Sequence, residues 1–325
     1  MKQPPHLLLM PPNWIGDVIM AQPAMKAIAS HYRKHRGCKR ITVYGRSWLK
    51  DLLPYLNLGD ASYASEIPAA DTAFLFPNSF RSAWQCKKAG IQEIIGYRGQ
   101  WRRLLLDHPL AHRFDPSCEH HRLFHLDIAH QMNIQSDSDK VSLQLPDGER
   151  EAGRALMLQN GLNPERVVCL APGAQFGGAK CYPAESYAAI TYSLVEAGWQ
   201  PLILGMEADY EVGQLILQDL GGALWNAAGK TTLAEALQLI SACRLMLCND
   251  SGLMHVAAGL DIPTVAPFGA TDPVRTSPSG AAVKIIYQPA ECSPCLQREC
   301  TVPGHPCMNN IRPQMLLDAC LSMLK

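Results

Sequence analysis

A chain of 325 residues suggests two domains of ordinary size. With 47% hydrophobic and 18% charged residues it has ample core, which excludes a disordered chain, and no apolar run reaches the length of a membrane span. The formal charge is zero, with 20 basic against 15 acidic side chains up to residue 160 and 9 against 14 beyond it. That modest basic excess suits an anionic partner and is too small to argue for nucleic acid.

Met1-Lys2-Gln3-Pro4-Pro5 lacks a secretory pattern and leads straight into the strand-like run His6-Leu7-Leu8-Leu9-Met10, so a cytoplasmic protein is expected. Residues 11–17 form a loop of turn formers, and helical periodicity runs over 17–32 through Ile19, Met25 and Ile28. Asp17 therefore stands at the mouth of a strand–loop–helix unit. A carboxylate there would repel a phosphate and suits a general base; as the alternative, it caps the helix and complements its dipole. A strand at 40–44, a helix at 47–55 and a short strand at 73–76 follow. Pro77-Asn78-Ser79-Phe80-Arg81-Ser82-Ala83 opens a helix ending near Gly90, and residues 94–97 are the next strand. Arg98, Arg102, Arg103, Arg113 and Arg122 are interleaved with His108, His112, His120, His121 and His125. Residues 121–134 read as a helix. His121-x3-His125 has ligand spacing but no third ligand, so it reads as an exposed or partly satisfied helix face. Asp137-x-Asp139 lies in a Ser/Asp-rich connector and reads as a solvated turn.

After a helix at 147–160 the pattern starts afresh. Strand 166–171 leads into the Gly-rich loop 172–180, which is neither a P-loop nor a dinucleotide fingerprint. Its backbone N–H groups and Lys180 suit a diphosphate, unless Lys180 is simply an exposed loop lysine. Then come helix 184–197, strand 201–205, a short strand at 223–225, helix 232–242 and strand 245–248. Asp250-Ser251-Gly252-Leu253-Met254-His255 follows, before a helix at 256–260 and a strand at 263–266. A carboxylate, a hydroxyl and a glycine thus sit where a parallel strand ends and a helix begins, a place that favours phosphorylated ligands. The plainer reading is a helix N-cap by Asp250 or Ser251. Strict strand–helix alternation predicts parallel sheets, in two domains, 1–160 and 161–325, with a cleft between them. Of twelve cysteines, Cys292, Cys295, Cys300 and Cys307 cluster at a spacing that matches no common zinc or iron–sulfur site. Two readings stand: a metal or redox centre, or reduced thiols serving local structure.

Five ordered motifs covering almost the whole chain resemble the ADP-heptose:lipopolysaccharide heptosyltransferases, glycosyltransferase family 9, and within it those that add the second heptose. They are Asn13-Trp14-Ile15-Gly16-Asp17, Pro77-Asn78-Ser79-Phe80-Arg81-Ser82, Gly96-Tyr97-Arg98-Gly99, the loop Pro172 to Lys180, and Asn249 to His255. The cysteine cluster resembles one present in some relatives and missing from others. The resemblance implies an α/β GT-B fold of two Rossmann-like domains, an acceptor-binding first domain and a nucleotide-sugar-binding second one. It implies inverting transfer of L-glycero-D-manno-heptose from ADP-heptose to the first heptose of a lipid A–Kdo–heptose acceptor at the inner-membrane surface. Neither cofactor nor metal is implied. Asp17 would be the base and Lys180 would stabilise the leaving group. Gly173, Ala174, Glu207, Thr231, Asp250, Ser251, Gly252 and His255 would join Lys180 around the donor. Asn13, Asn78, Arg81, Arg98, Arg102 and Arg103 would bind the acceptor. One departure stands out: Lys180-Cys181-Tyr182-Pro183 replaces the Lys-Arg-Trp-Pro common in relatives, which bears on nucleotide stacking or loop packing. The alternatives are another core acceptor, or a non-catalytic protein built around Cys292–Cys307.

Overall fold

A computed structural model describes residues 4–115 and 118–325. Residues 1–3, on which the reading against a secretory leader partly rests, lie outside that set. Among the described residues no helix is long and apolar enough to cross a membrane. The chain forms two compact units, Met1–Gln144 and Leu145–Lys325.

The first unit is built on six parallel strands: β1 (His6–Met10), β2 (Arg40–Tyr44), β3 (Ser62–Ala64), β4 (Thr72–Leu75), β5 (Glu93–Tyr97) and β6 (His108–Leu110). Their order across the sheet is β3-β2-β1-β4-β5-β6. The central strands β1 and β4 are buried along their whole length, as the continuous apolar runs of a parallel sheet require. The long helix Ile15–Arg36 returns from β1 and stops at Gly37, which takes the left-handed conformation at φ 62°. Arg33, Lys34, His35 and Arg36 fill its last turn and complement its dipole.

The second unit carries β7 (Val167–Ala171), β8 (Gln200–Ile203), β9 (Trp225–Asn226), β10 (Leu245–Cys248), β11 (Thr264–Phe268) and β12 (Val283–Tyr287). Their order is β12-β11-β10-β7-β8-β9, again all parallel. Counted within its own unit, each sheet runs 3-2-1-4-5-6, the order of dinucleotide-binding folds. The direction of winding reverses between β1 and β4, and again between β7 and β10. Register brings the ends of each central pair level: Met10 lies opposite Leu75, and Cys248 opposite Ala171.

Three edge strands escaped the sequence reading. β3 and β6 are only three residues long, and β6 contains Pro109, tolerated there because an edge strand can spare an N–H. β12 is half-buried, so its alternation is weak. The helix expected at 47–55 is one turn, Leu49–Leu52, followed by a 3₁₀ turn over Leu53–Leu56. The helix expected at 256–260 begins at Gly252, which puts His255 inside it.

The division between units also falls earlier than expected. Helix Glu149–Gln159 belongs to the second unit, because it packs on helix Leu233–Ala242. Gly153 makes that packing possible: a Cβ there would stand 2.1 Å from the carbonyl oxygen of Gln238. Gly153→Val should therefore force the helices apart and destabilise the second unit by about 1–3 kcal/mol. Gly221→Ala, whose Cβ meets nothing within 4 Å, should stay within about 0.5 kcal/mol of the parent. Urea unfolding of both variants checks the contrast.

Candidate active site

Each sheet presents its functional loops at the carboxyl ends of its central strand pair. In the first unit, the loops leaving β1 and β4 border an open cavity of about 370 Å³. Asn13 and Trp14 line it from one loop, with Asp17 from the helix that follows, and Pro77, Asn78 and Ser79 line it from the other loop. Helix His121–Gln131 contributes His121, Phe124 and His125. Asp17 is half-buried in the first turn of helix Ile15–Arg36. The N-cap position belongs to Trp14, which is extended and makes no side-chain cap bond. Asp17 is therefore not the cap residue, and it is one of the residues that line the cavity.

His125 is the residue the sequence reading undervalued. It is almost wholly buried rather than exposed, and neither ring nitrogen has a hydrogen-bond partner among the described residues. Burial, and then the neighbouring His121, hold its pKa well below the usual histidine value, so the ring is neutral at physiological pH. Ring contacts with Phe76, His121 and Phe124 fix its plane. Tyr97 anchors the same helix by donating to the Phe124 carbonyl at 2.6 Å and to Asp127 at 3.0 Å.

The four arginines expected at the acceptor divide sharply. Arg81, Arg98 and Arg103 are exposed and lie outside the cavity lining. Arg102 has no exposed surface at all. Its Nε donates to the Tyr97 carbonyl at 2.7 Å, and its terminal nitrogens donate to Pro77, Ser79, Ser82 and the Asn78 side chain. The expectation that Arg102 faces a ligand is thus corrected: a guanidinium spent on these acceptors is a strut beneath the loop 77–79. Burial lowers its pKa to about 10, which still leaves it charged at neutral pH.

In the second unit, the loops leaving β7 and β10 meet around Lys180 and Asp250. Lys180 Nζ lies 2.7 Å from Asp250 Oδ2, and Thr271 donates to the same oxygen at 2.6 Å. Lys180 is therefore a partly buried, oriented cation rather than an exposed loop lysine. It also stands 5.0 Å from the centre of the Phe176 ring. The plain capping alternative for Asp250 and Ser251 is not realised. Asp250 is engaged by Lys180 and Thr271, and Ser251 occupies the N-cap of helix Gly252–Gly259 without making a cap bond. The Ser251 hydroxyl is buried and has no partner among the described residues.

Asn249 ties the two loops together. It accepts from the Tyr182 N–H and the Tyr187 hydroxyl, each at 3.1 Å, and donates to the Pro172 carbonyl. Tyr182 is buried and donates to the Ile311 carbonyl at 2.7 Å. It therefore packs the loop and is not exposed to stack on a nucleotide. Gly173 and Ala174 are half-buried in the loop, and a Cβ on Gly173 would collide with the Asp209 carboxylate at 2.3 Å. Glu207 is exposed beside the loop carrying Gly229, and Thr231 is half-buried just beyond it. His255 is buried one turn into helix Gly252–Gly259.

The cysteine-rich segment has a mechanical part in the same unit. The Ala179 N–H donates to the Arg298 carbonyl at 2.9 Å, the Gly178 N–H to Glu299 at 3.2 Å, and the His305 ring bonds the Ala179 carbonyl at 3.0 Å. Cys307 is buried and packs against Gly269. Residues 298–307 thus brace the loop that carries Lys180.

Residues 66–305 match the model of glycosyltransferase family 9 (heptosyltransferase). The chain belongs to that family. It is 29% identical to lipopolysaccharide heptosyltransferase 2 of Escherichia coli K12, with 98% of each chain covered. The solved E. coli ADP-heptose lipopolysaccharide heptosyltransferase II superimposes with a TM-score of 0.80 at 29% identity, covering 98% of both chains. A family 9 glycosyltransferase of Veillonella parvula superimposes with a TM-score of 0.81 at 17% identity over 98% of this chain and 97% of that one. The expected GT-B class of two Rossmann-like units stands.

Two arginine variants separate strut from surface. Arg102→Met should leave several buried acceptors unpaired and cost at least about 3 kcal/mol. Arg103→Ala, at an exposed position, should change stability by no more than about 0.5 kcal/mol. Urea midpoints of the two variants test this.

Proposed function

We propose that this heptosyltransferase moves L-glycero-D-manno-heptose from ADP-heptose to the first heptose of the lipopolysaccharide inner core, with inversion and without a divalent ion. The observation that carries the reading is the Lys180–Asp250–Thr271 group beside the uncapped N-terminus of helix Gly252–Gly259. A departing nucleoside diphosphate gains negative charge. An ammonium has three N–H donors, and Asp250 takes one, so Lys180 keeps two for phosphate oxygens. The first-turn amides of the helix add donors that are already oriented. Asp250 and Thr271 hold the cation in place, and Asp250, itself neutralised by Lys180, repels the diphosphate little. Glu207 and Thr231 bind the nucleoside end.

The first unit supplies the acceptor side. Asp17 takes the proton from the acceptor hydroxyl as its oxygen attacks the anomeric carbon of the heptose. The bond from that carbon to the β-phosphate oxygen breaks, its electron pair leaves with ADP, and the configuration inverts. Asn13 and Asn78 hydrogen-bond the acceptor sugar, and the buried ring of His125 backs the cavity wall. Arg81, Arg98 and Arg103 meet its Kdo carboxylates and phosphates. The likeness to heptosyltransferase 2 along nearly the full length supports this acceptor. Enzyme, ADP-heptose and lipopolysaccharide truncated after one heptose should give a product heavier by one heptose in mass spectrometry. No mass gain with that acceptor would sink the assignment.

Asp17→Asn keeps the shape and removes the base, so turnover should fall by about 10²–10⁴-fold while ADP-heptose affinity holds. Lys180→Ala should weaken both donor binding and turnover. Excess EDTA should leave the rate of the parent enzyme unchanged. Steady-state kinetics on the truncated acceptor, with calorimetry for ADP, checks all three; magnesium-reversible loss of turnover would refute the metal-free reading.

A further inference from the structure

We infer that the first unit carries a membrane-docking face, formed by helix Phe80–Lys88 and the loop 98–105, that seats on an anionic lipid surface. The face is apolar where a water-facing surface would be polar. Trp101 is 94% and Leu104 92% exposed. Phe80 and Trp84, one helical turn apart, are 44% and 52% exposed and stack with ring centres 6.4 Å apart. The two segments pack together, and Arg102 is the reason. Its side chain turns inward to Asn78, Ser79 and Ser82. Its neighbours Trp101, Arg103 and Leu104 are all exposed. The loop is thus firmly tied, and yet it offers its largest apolar groups to the outside. Exposed apolar clusters of this kind mark interaction surfaces.

Charge selects the partner. Arg81, Lys87, Lys88, Arg98 and Arg103 are exposed on these segments. Between residues 77 and 106 the only acid is Glu93, which accepts from Thr72 and lies 3.1 Å from His108. Lys87 lies 3.6 Å from Asp107; among the described residues Arg81, Lys88, Arg98 and Arg103 make no ion pair with a carboxylate that would offset the field. Tryptophan and leucine set among cations match the interfacial layer of a bilayer bearing anionic headgroups. A second copy of the chain would bring like charges face to face, which disfavours self-association.

The face borders the acceptor cavity, since Ser79 and Gln100 line that cavity and stand next to Phe80 and Trp101. On the proposed function, this would meet a lipid-anchored acceptor at the bilayer surface. The docking itself needs no substrate. The test is co-sedimentation of the full chain with vesicles of phosphatidylglycerol and phosphatidylethanolamine, against vesicles of phosphatidylcholine alone. Binding should be selective for the anionic vesicles and weaken as salt rises. The double variant Trp101→Ser, Leu104→Ser should lower the partition coefficient at least about tenfold, with an unchanged melting temperature. Lys87→Glu with Lys88→Glu should weaken binding and flatten its salt dependence. Failure of the parent protein to bind anionic vesicles, or undiminished binding by the Trp101/Leu104 variant, would overturn the inference. So would a lipid-free dimer abolished by the Trp101/Leu104 change, which would give the face to a second copy. Vesicle binding without heptose transfer would sink the proposed function and leave the docking face standing.

Discussion

In a parallel sheet, the chain leaves every strand at the same end and must cross over one face or the other. Where winding reverses between two neighbouring strands, their outgoing loops part to opposite faces and leave a crevice at the strand ends. This constraint acts twice in the protein, between β1 and β4 and between β7 and β10. Asp17 and Asn78 stand at the first crevice, Lys180 and Asp250 at the second. None of these residues is near its partner in sequence. Lys180 and Asp250 are seventy residues apart and meet only because Ala171 and Cys248 end level in the sheet.

Loops at a crevice must still be held in shape, and both units solve this with one buried polar side chain. Arg102 supports the loop after β4 through backbone carbonyls and two side chains. Asn249 joins the loops after β7 and β10 by accepting twice and donating once. Such groups are costly to bury and costly to leave half-satisfied. Full satisfaction is therefore also what makes the loop geometry singular. A catalytic constellation needs that rigidity, because a misplaced donor loses much of its electrostatic effect on the transition state.

The cysteine-rich segment belongs to the same scheme. It braces residues 177–180 through Arg298, Glu299 and His305, while Cys307 fills space beside Gly269. Glycine at 177 lets the backbone of Arg298 approach to within 2.2 Å of where a Cβ would lie, at a φ of 149° that side chains rarely adopt. The richness of the loop in glycine thus serves contact with this segment as much as contact with a ligand.

Much of this was legible in the sequence. Apolar runs such as Leu7–Met10 and Leu245–Cys248 announce central strands, because a strand buried on both faces must be apolar throughout. Their alternation with helices dictates parallel sheets, and the motifs at Asn13–Asp17, Pro172–Lys180 and Asn249–His255 mark the loops that matter. Sequence also singled out Asp17 and Lys180, since an acid and a cation at strand ends carry chemistry that apolar neighbours cannot. The short edges β3 and β6 were invisible, for three residues hold no period and Pro109 argues against a strand. Tertiary structure alone decided the rest. It turned Arg102 inward while Arg98 and Arg103 stayed outside, although one basic stretch holds all three. It buried His125 against the cavity and moved helix Glu149–Gln159 into the second unit. These outcomes depend on what lies across the space from each side chain, and a linear pattern records the side chain without its neighbours.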